Sequence, residues 1–181
     1  MIEKKKIIAL IGSIKKESLN QKIVENCIHI THDRFDVVIF PIETLPFFNP
    51  DLENDTDLPK TVIEFRHCIE AADGVLICTP EYVFSIPGIL KNALEWTVST
   101  IVFNEKPTAI VTAASVGEKT HASLHLVMTT IGAKIGDTSA LLIQNVKAKI
   151  NPEGVFVNEE TLSSFQALIE DFDKNMTSAK G

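Results

Sequence analysis

The sequence predicts an open, doubly wound α/β sheet of five parallel strands with helices on both faces. Four short apolar runs are nearly continuous rather than alternating, as strands covered on both faces are. Segments of helical periodicity separate them. Strand and helix alternate about five times with no linker or composition shift, so the 181 residues are expected to form a single domain.

The first run, Ile7–Ile11, is followed by a helix over Ser18–Ile30 that places Leu19, Ile23, Cys27 and Ile30 on one stripe. It opens on Ser18-Leu19-Asn20-Gln21, the spacing of a capping box. The second run is Val37–Phe40; the proline- and acid-rich stretch Pro41–Asp57 after it reads as a surface loop. A helix over Leu58–Ala72 leads to the third run, Val75–Cys78. Pro87 suits the first turn of a helix over Pro87–Ser99, because the N–H it lacks would be unpaired there anyway. The fourth run, Thr108–Ala114, precedes a helix over Thr120–Ile131. A fifth strand near Ala140–Ile143 and a helix over Glu160–Phe172 complete the pattern.

Composition narrows the function. A net charge of −7 disfavours nucleic acid as the main partner. The lysines and apolar residues of Met1–Lys16 are too short for a secretory core, and no stretch is long enough to span a membrane. Cys27, Cys68 and Cys78 are widely spaced and odd in number, reading as reduced core residues of a cytoplasmic protein.

Doubly wound sheets bind ligands beyond the carboxyl ends of their strands, where strand order reverses. The loops after Ile11, Cys78 and Ala114 should therefore carry function. In the first, Gly12 permits a sharp turn, Ser13 and Ser18 offer hydroxyls, Asn20 an amide and Lys15 a charge, all before a helix N-terminus that attracts phosphate. It is neither a Walker loop nor a G-x-G-x-x-G dinucleotide loop. The second loop reads Thr79-Pro80-Glu81-Tyr82-Val83-Phe84-Ser85-Ile86-Pro87-Gly88 and runs on through Leu90-Lys91-Asn92-Ala93-Leu94-Glu95-Trp96.

Together the two loops resemble the NADPH-dependent FMN reductases, whose pattern is G-S-x-R-x-x-S-x-N followed by T-P-E-Y-N-x-S-x-P-G-x-L-K-N-A-L-D-W. The resemblance implies a flavodoxin-like fold with strand order 2-1-3-4-5. It also implies that Ser13, Lys15, Ser18 and Asn20 hold the FMN phosphate. Pro80, Glu81, Tyr82 and the backbone of Val83 would line the flavin ring, Ser85 would brace that loop, and Ser115 and Gly117 would close the opposite side. Hydride would pass from NADPH or NADH through FMN to a small acceptor: a quinone, an azo or nitro compound, a flavin or a metal oxyanion. A homodimer or homotetramer is implied too, with Phe47, Phe48 and Phe84 as apolar residues to bury. A flavodoxin-type electron carrier and a non-catalytic flavin-fold binding module are the alternative readings.

Three departures from the family pattern stand out. Lys15 replaces the phosphate-loop Arg in a chain with 15 Lys and 2 Arg, giving a point charge instead of a bidentate fork. Val83 replaces the Asn after the Tyr. The third loop, Ser115-Val116-Gly117-Glu118-Lys119-Thr120-His121, has Thr120 and His121 where the family pattern S-x-G-x-x-G-G has glycines. That change is expected to move the loop, leaving His121 either at the mouth of the flavin site or in solvent. His121 and His125 have a metal-compatible spacing but no third ligand, so no metal is expected. Ser85 and Ser115 lack the turn of a hydrolase nucleophile. No acid, base or nucleophile constellation appears, as suits a protein whose cofactor carries the chemistry.

Overall fold

The computed structural model describes residues 4–53 and 57–178. Met1–Glu3 of the opening segment and residues 54–56 of the expected Pro41–Asp57 loop lie outside the described residues. Strands β1 (Lys5–Ile11), β2 (Phe35–Ile39), β3 (Gly74–Thr79), β4 (Thr108–Ala113) and β5 (Ala140–Ile143) are all parallel, in the order β2-β1-β3-β4-β5. This is the flavodoxin-like order. Order reverses at β1, which pairs with β2 on one side and β3 on the other, and so the loops after β1 and β3 diverge to opposite sheet faces.

The helices are α1 (Leu19–Ile30), α2 (Lys60–Ala71), α3 (Gly88–Glu95), α4 (Glu118–Thr130), α5 (Val146–Lys149) and α6 (Glu159–Ser178). Alternate residues of each strand feed two separate cores. Ile7, Ala9 and Ile11 of β1 join Val111 and Ala113 of β4 under α1 and α6. Ile8 and Leu10 join Ile77 and Ile110 under α2, α3 and α4. All six residues of β3 and of β4 are buried, which is why neither strand alternates.

Several boundaries move, each for a local reason. β2 is an edge strand, and its apolar run does not mean that both faces are covered: Val38 is 59% exposed. α4 starts at Glu118 because Gly117 turns left-handed there, with φ +88. α3 stops at Glu95, where the Thr97 hydroxyl donates to the Leu94 carbonyl at 2.8 Å. α6 continues to Ser178, its Asp173 held by Lys5 and Arg34 from the opposite end of the chain. The one-turn helix α5 had no counterpart in the sequence reading.

Candidate active site

The loop after β1 is shaped by contact with β3. The Gly12 N–H donates to the Cys78 carbonyl at 2.9 Å, and a Cβ on Gly12 would lie 2.1 Å from the Thr79 hydroxyl, so no larger residue fits. Ser18 caps α1, its hydroxyl accepting from the Gln21 N–H at 3.1 Å. The reciprocal half of the capping box is not made, since the Gln21 amide turns to Glu25 instead. The Ser13 hydroxyl stands 3.2 Å from the Tyr82 hydroxyl, joining the first loop to the second. Lys15 forms no ion pair among the described residues, and the first N–H groups of α1 have no intrahelical acceptor.

Asn20 is buried and ties the floor together. Its amide donates to the Ala113 carbonyl at 3.3 Å, while its side-chain oxygen accepts from the Cys78 thiol at 3.4 Å. Burial pushes that thiol far above its ordinary value, so Cys78 stays protonated and can act as the donor.

In the second loop Tyr82 and Ser85 exchange backbone hydrogen bonds at 3.2 and 3.1 Å across a two-residue turn. Both turn residues are left-handed, Val83 at φ +52 and Phe84 at φ +54. The turn lifts them off the protein, 94% and 71% exposed. Ser85 thus braces the loop through its backbone.

Glu81 links the second loop to the third. Its two carboxylate oxygens accept from the N–H groups of Gly117 and Thr120, each at 3.0 Å, capping α4. Desolvation opposes ionisation of Glu81, but these backbone donors outweigh it and lower its pKa. The cap also accounts for the altered third loop. Thr120 is buried in the first turn of α4, and His121 sits beside the sheet with Nδ1 3.0 Å from the Thr112 hydroxyl. His121 therefore lies neither at a cleft mouth nor free in solvent; burial first, then the charge of His125, lowers its pKa.

A cleft of about 280 Å³ opens where the three loops meet. Ser13, Lys15, Ser18, Asn20, Pro80, Glu81, Tyr82 and Ser115 line it, whereas Val83 and Gly117 do not. Val83 rides the exposed turn, and the N–H of Gly117 faces Glu81. Lys147 of α5 also lines the cleft, a residue the sequence reading passed over. The sequence does place a lysine just after the fifth strand, but nothing in the motif pattern marks it.

The Asn92-Ala93-Leu94-Glu95-Trp96 part of the motif serves the scaffold. The Asn92 amide and the Trp96 indole N–H both donate to the Pro46 carbonyl, at 2.9 and 2.8 Å. Arg66 donates to the Trp96 carbonyl and to both oxygens of Glu53, each at 2.7 Å. Phe47 is held at the tip of this loop, 92% exposed, while Phe48 packs edge-on against Trp96.

A family model described as NADPH-dependent FMN reductase matches residues 5–148. The chain belongs to the NADPH-dependent FMN reductase family. It is 30% identical over 174 residues to a 2-hydroxy-1,4-benzoquinone reductase of a Burkholderia species, covering 92% of this chain and 93% of the relative. It is also 30% identical over 172 residues to an NAD(P)H:quinone oxidoreductase of Solanum tuberosum, covering 91% and 89%. Among solved structures, the flavoenzyme NAD(P)H:(acceptor) oxidoreductase FerB of Paracoccus denitrificans superposes with a TM-score of 0.83. That match has 26% identity and covers 96% of this chain and 98% of FerB.

As a member of this family the protein is an FMN-dependent oxidoreductase that draws its electrons from NAD(P)H. The donor set of the cleft fits FMN. Free N–H groups at the start of α1, two hydroxyls and two lysines without an ion pair among the described residues suit a single phosphate, and Pro80, Tyr82 and Ser115 of the loops after β3 and β4 line the rest of the cleft.

Proposed function

We propose that this FMN reductase delivers its electrons to a quinone. FMN, when bound, would supply the redox chemistry that links the nicotinamide donor to the acceptor. Lys15, the Ser13 and Ser18 hydroxyls and the first turn of α1 hold the phosphate. Pro80, Glu81 and Tyr82 flank the ring from one side and Ser115 from the other, while Val83, on its exposed turn, stands clear of the cleft. Asn20 and Gly117 act indirectly, Asn20 by fixing the floor and Gly117 by orienting α4. The carboxylate of Glu81 is committed to capping α4, so it does not serve as a proton donor to the acceptor.

The observation that carries this reading is the convergence of three loops, one helix N-terminus and Lys15, which has no ion pair among the described residues, at the strand-order reversal. The two quinone-reducing relatives motivate the acceptor class. The test is to chromatograph the flavin released from the purified protein and to follow NAD(P)H oxidation with 1,4-benzoquinone, an azo dye or chromate. FMN and quinone-accelerated oxidation are expected. Oxidation that quinone does not accelerate would reject the acceptor, and no steady NAD(P)H oxidation would favour an electron carrier.

We further propose a single-domain, cytoplasmic homo-oligomer. Phe47, Val83 and Phe84 present apolar surface that water leaves unsatisfied and a second copy could cover. Sedimentation showing a monomer at micromolar concentration would reject the oligomer.

A further inference from the structure

Lys147 borders the cleft from beyond β5, away in sequence from the loop after β1. The backbone N–H groups of Asn145 and Val146 donate to the carbonyls of Ser115 and Ala114, at 3.1 and 3.2 Å. Val146 is buried, so the start of α5 is fastened to the third loop of the cleft. Lys147, the next residue, is exposed and makes no ion pair or hydrogen bond among the described residues. Lys147 borders the cleft together with Lys15 and Ser18. It also borders an adjoining depression that reaches Glu17 and Leu19, beside the first turn of α1.

The charges around the cleft call for a second cation. Two carboxylates line it, Glu17 and Glu81, and the Glu81 charge is spent on α4. Lys15 alone would only balance Glu17, leaving the partial charge at the start of α1 as the remaining offset to a phosphate that carries about −1.5 to −2 charges at neutral pH. A lysine also gives one compact point charge where an arginine would grip with a fork.

We propose that Lys147 is a second cation of the phosphate site, contacting the FMN phosphate from the β5 side opposite Lys15. The proposal rests on the reading of this cleft as the FMN site. Because Lys147 is exposed and unpartnered, its replacement leaves the fold intact.

The test titrates flavin-depleted full-length protein with FMN and with riboflavin, following flavin fluorescence at low and high ionic strength. At low salt Lys147→Ala should weaken FMN binding about three- to tenfold, the scale of a partly exposed charge-assisted contact. Riboflavin affinity should not change, Lys147→Arg should restore FMN binding, and the deficit should shrink as salt rises. Unchanged FMN affinity in Lys147→Ala at low salt would overturn the proposal, as would an equal loss for riboflavin. A rise in the KM for NADPH alone would also overturn it, assigning Lys147 to the nucleotide donor. Wild-type protein that binds no FMN would instead bring down the site reading, before any variant is compared.

Discussion

Glu81 spans the gap between two loops with one carboxylate, and its two hydrogen bonds make it the hinge pin of the cleft. Glu81→Gln keeps one acceptor oxygen but loses the charge at the N-terminus of α4, and should cost about 1 kcal/mol, the size of a helix cap. The folded-state pKa of Glu81 lies below its unfolded value of roughly 4.3. Its stabilising effect is therefore full above that pH and lost as pH falls through the folded value. Denaturant midpoints of wild type and Glu81→Gln should differ at pH 7 and converge in acid below about pH 4. His121 titrates with the same sign for a different reason. Burial holds its folded pKa below the unfolded 6.5, so the wild type should lose stability as pH drops from 7 through 6. His121→Asn, unable to take up the proton, should lack that slope in the same denaturant series. Val83 poses a backbone problem, since a β-branched residue at φ +52 crowds its own carbonyl. Val83→Asn should stabilise by about 1 kcal/mol, raising Tm by roughly 2–4 °C in calorimetry.

At the scale of elements, α3 does more than cover the sheet. Its Asn92, with Trp96 just beyond its end, pins the Pro46 carbonyl, and Asn92 Oδ1 also accepts from the Phe48 N–H at 2.8 Å. Asn92→Ala would leave that N–H without its acceptor and should cost about 1–3 kcal/mol. Limited proteolysis should then cut at Phe47 or Phe48 faster than in the wild type, at unchanged overall secondary structure. Equal cutting rates would mean that Trp96 and the Arg66–Glu53 pair hold the loop unaided. The start of α4 shows the same economy. Gly117 must be glycine on two counts, a φ of +88 and a Cβ position 2.8 Å from a methyl of Leu142.

Across the whole molecule, apolar runs separated by helical stripes were enough to predict a doubly wound sheet, because burial on both faces leaves its mark in the central strands, although the edge strand β2 carries an apolar run without it. The three loops likewise marked much of the cleft: eight of the ten residues singled out line it. Sequence by itself placed hydroxyls, an amide and a lysine at the carboxyl end of β1, where they suit a phosphate, and the resemblance carried by the loops implied a flavin ring beside them. Only the tertiary structure decided how those residues divide the work. Whether Asn20 faces a ligand or the floor depends on Cys78 and Ala113, 58 and 93 residues away in the chain. Whether Glu81 is free depends on donors 36 and 39 residues on. Lys147 enters the cleft because parallel pairing sets β5 beside β4 and brings the segment after it against the third loop. Periodicity and motif spacing are local properties of the chain, whereas hydrogen-bond partners and shared pockets are fixed by which distant segments the sheet places side by side.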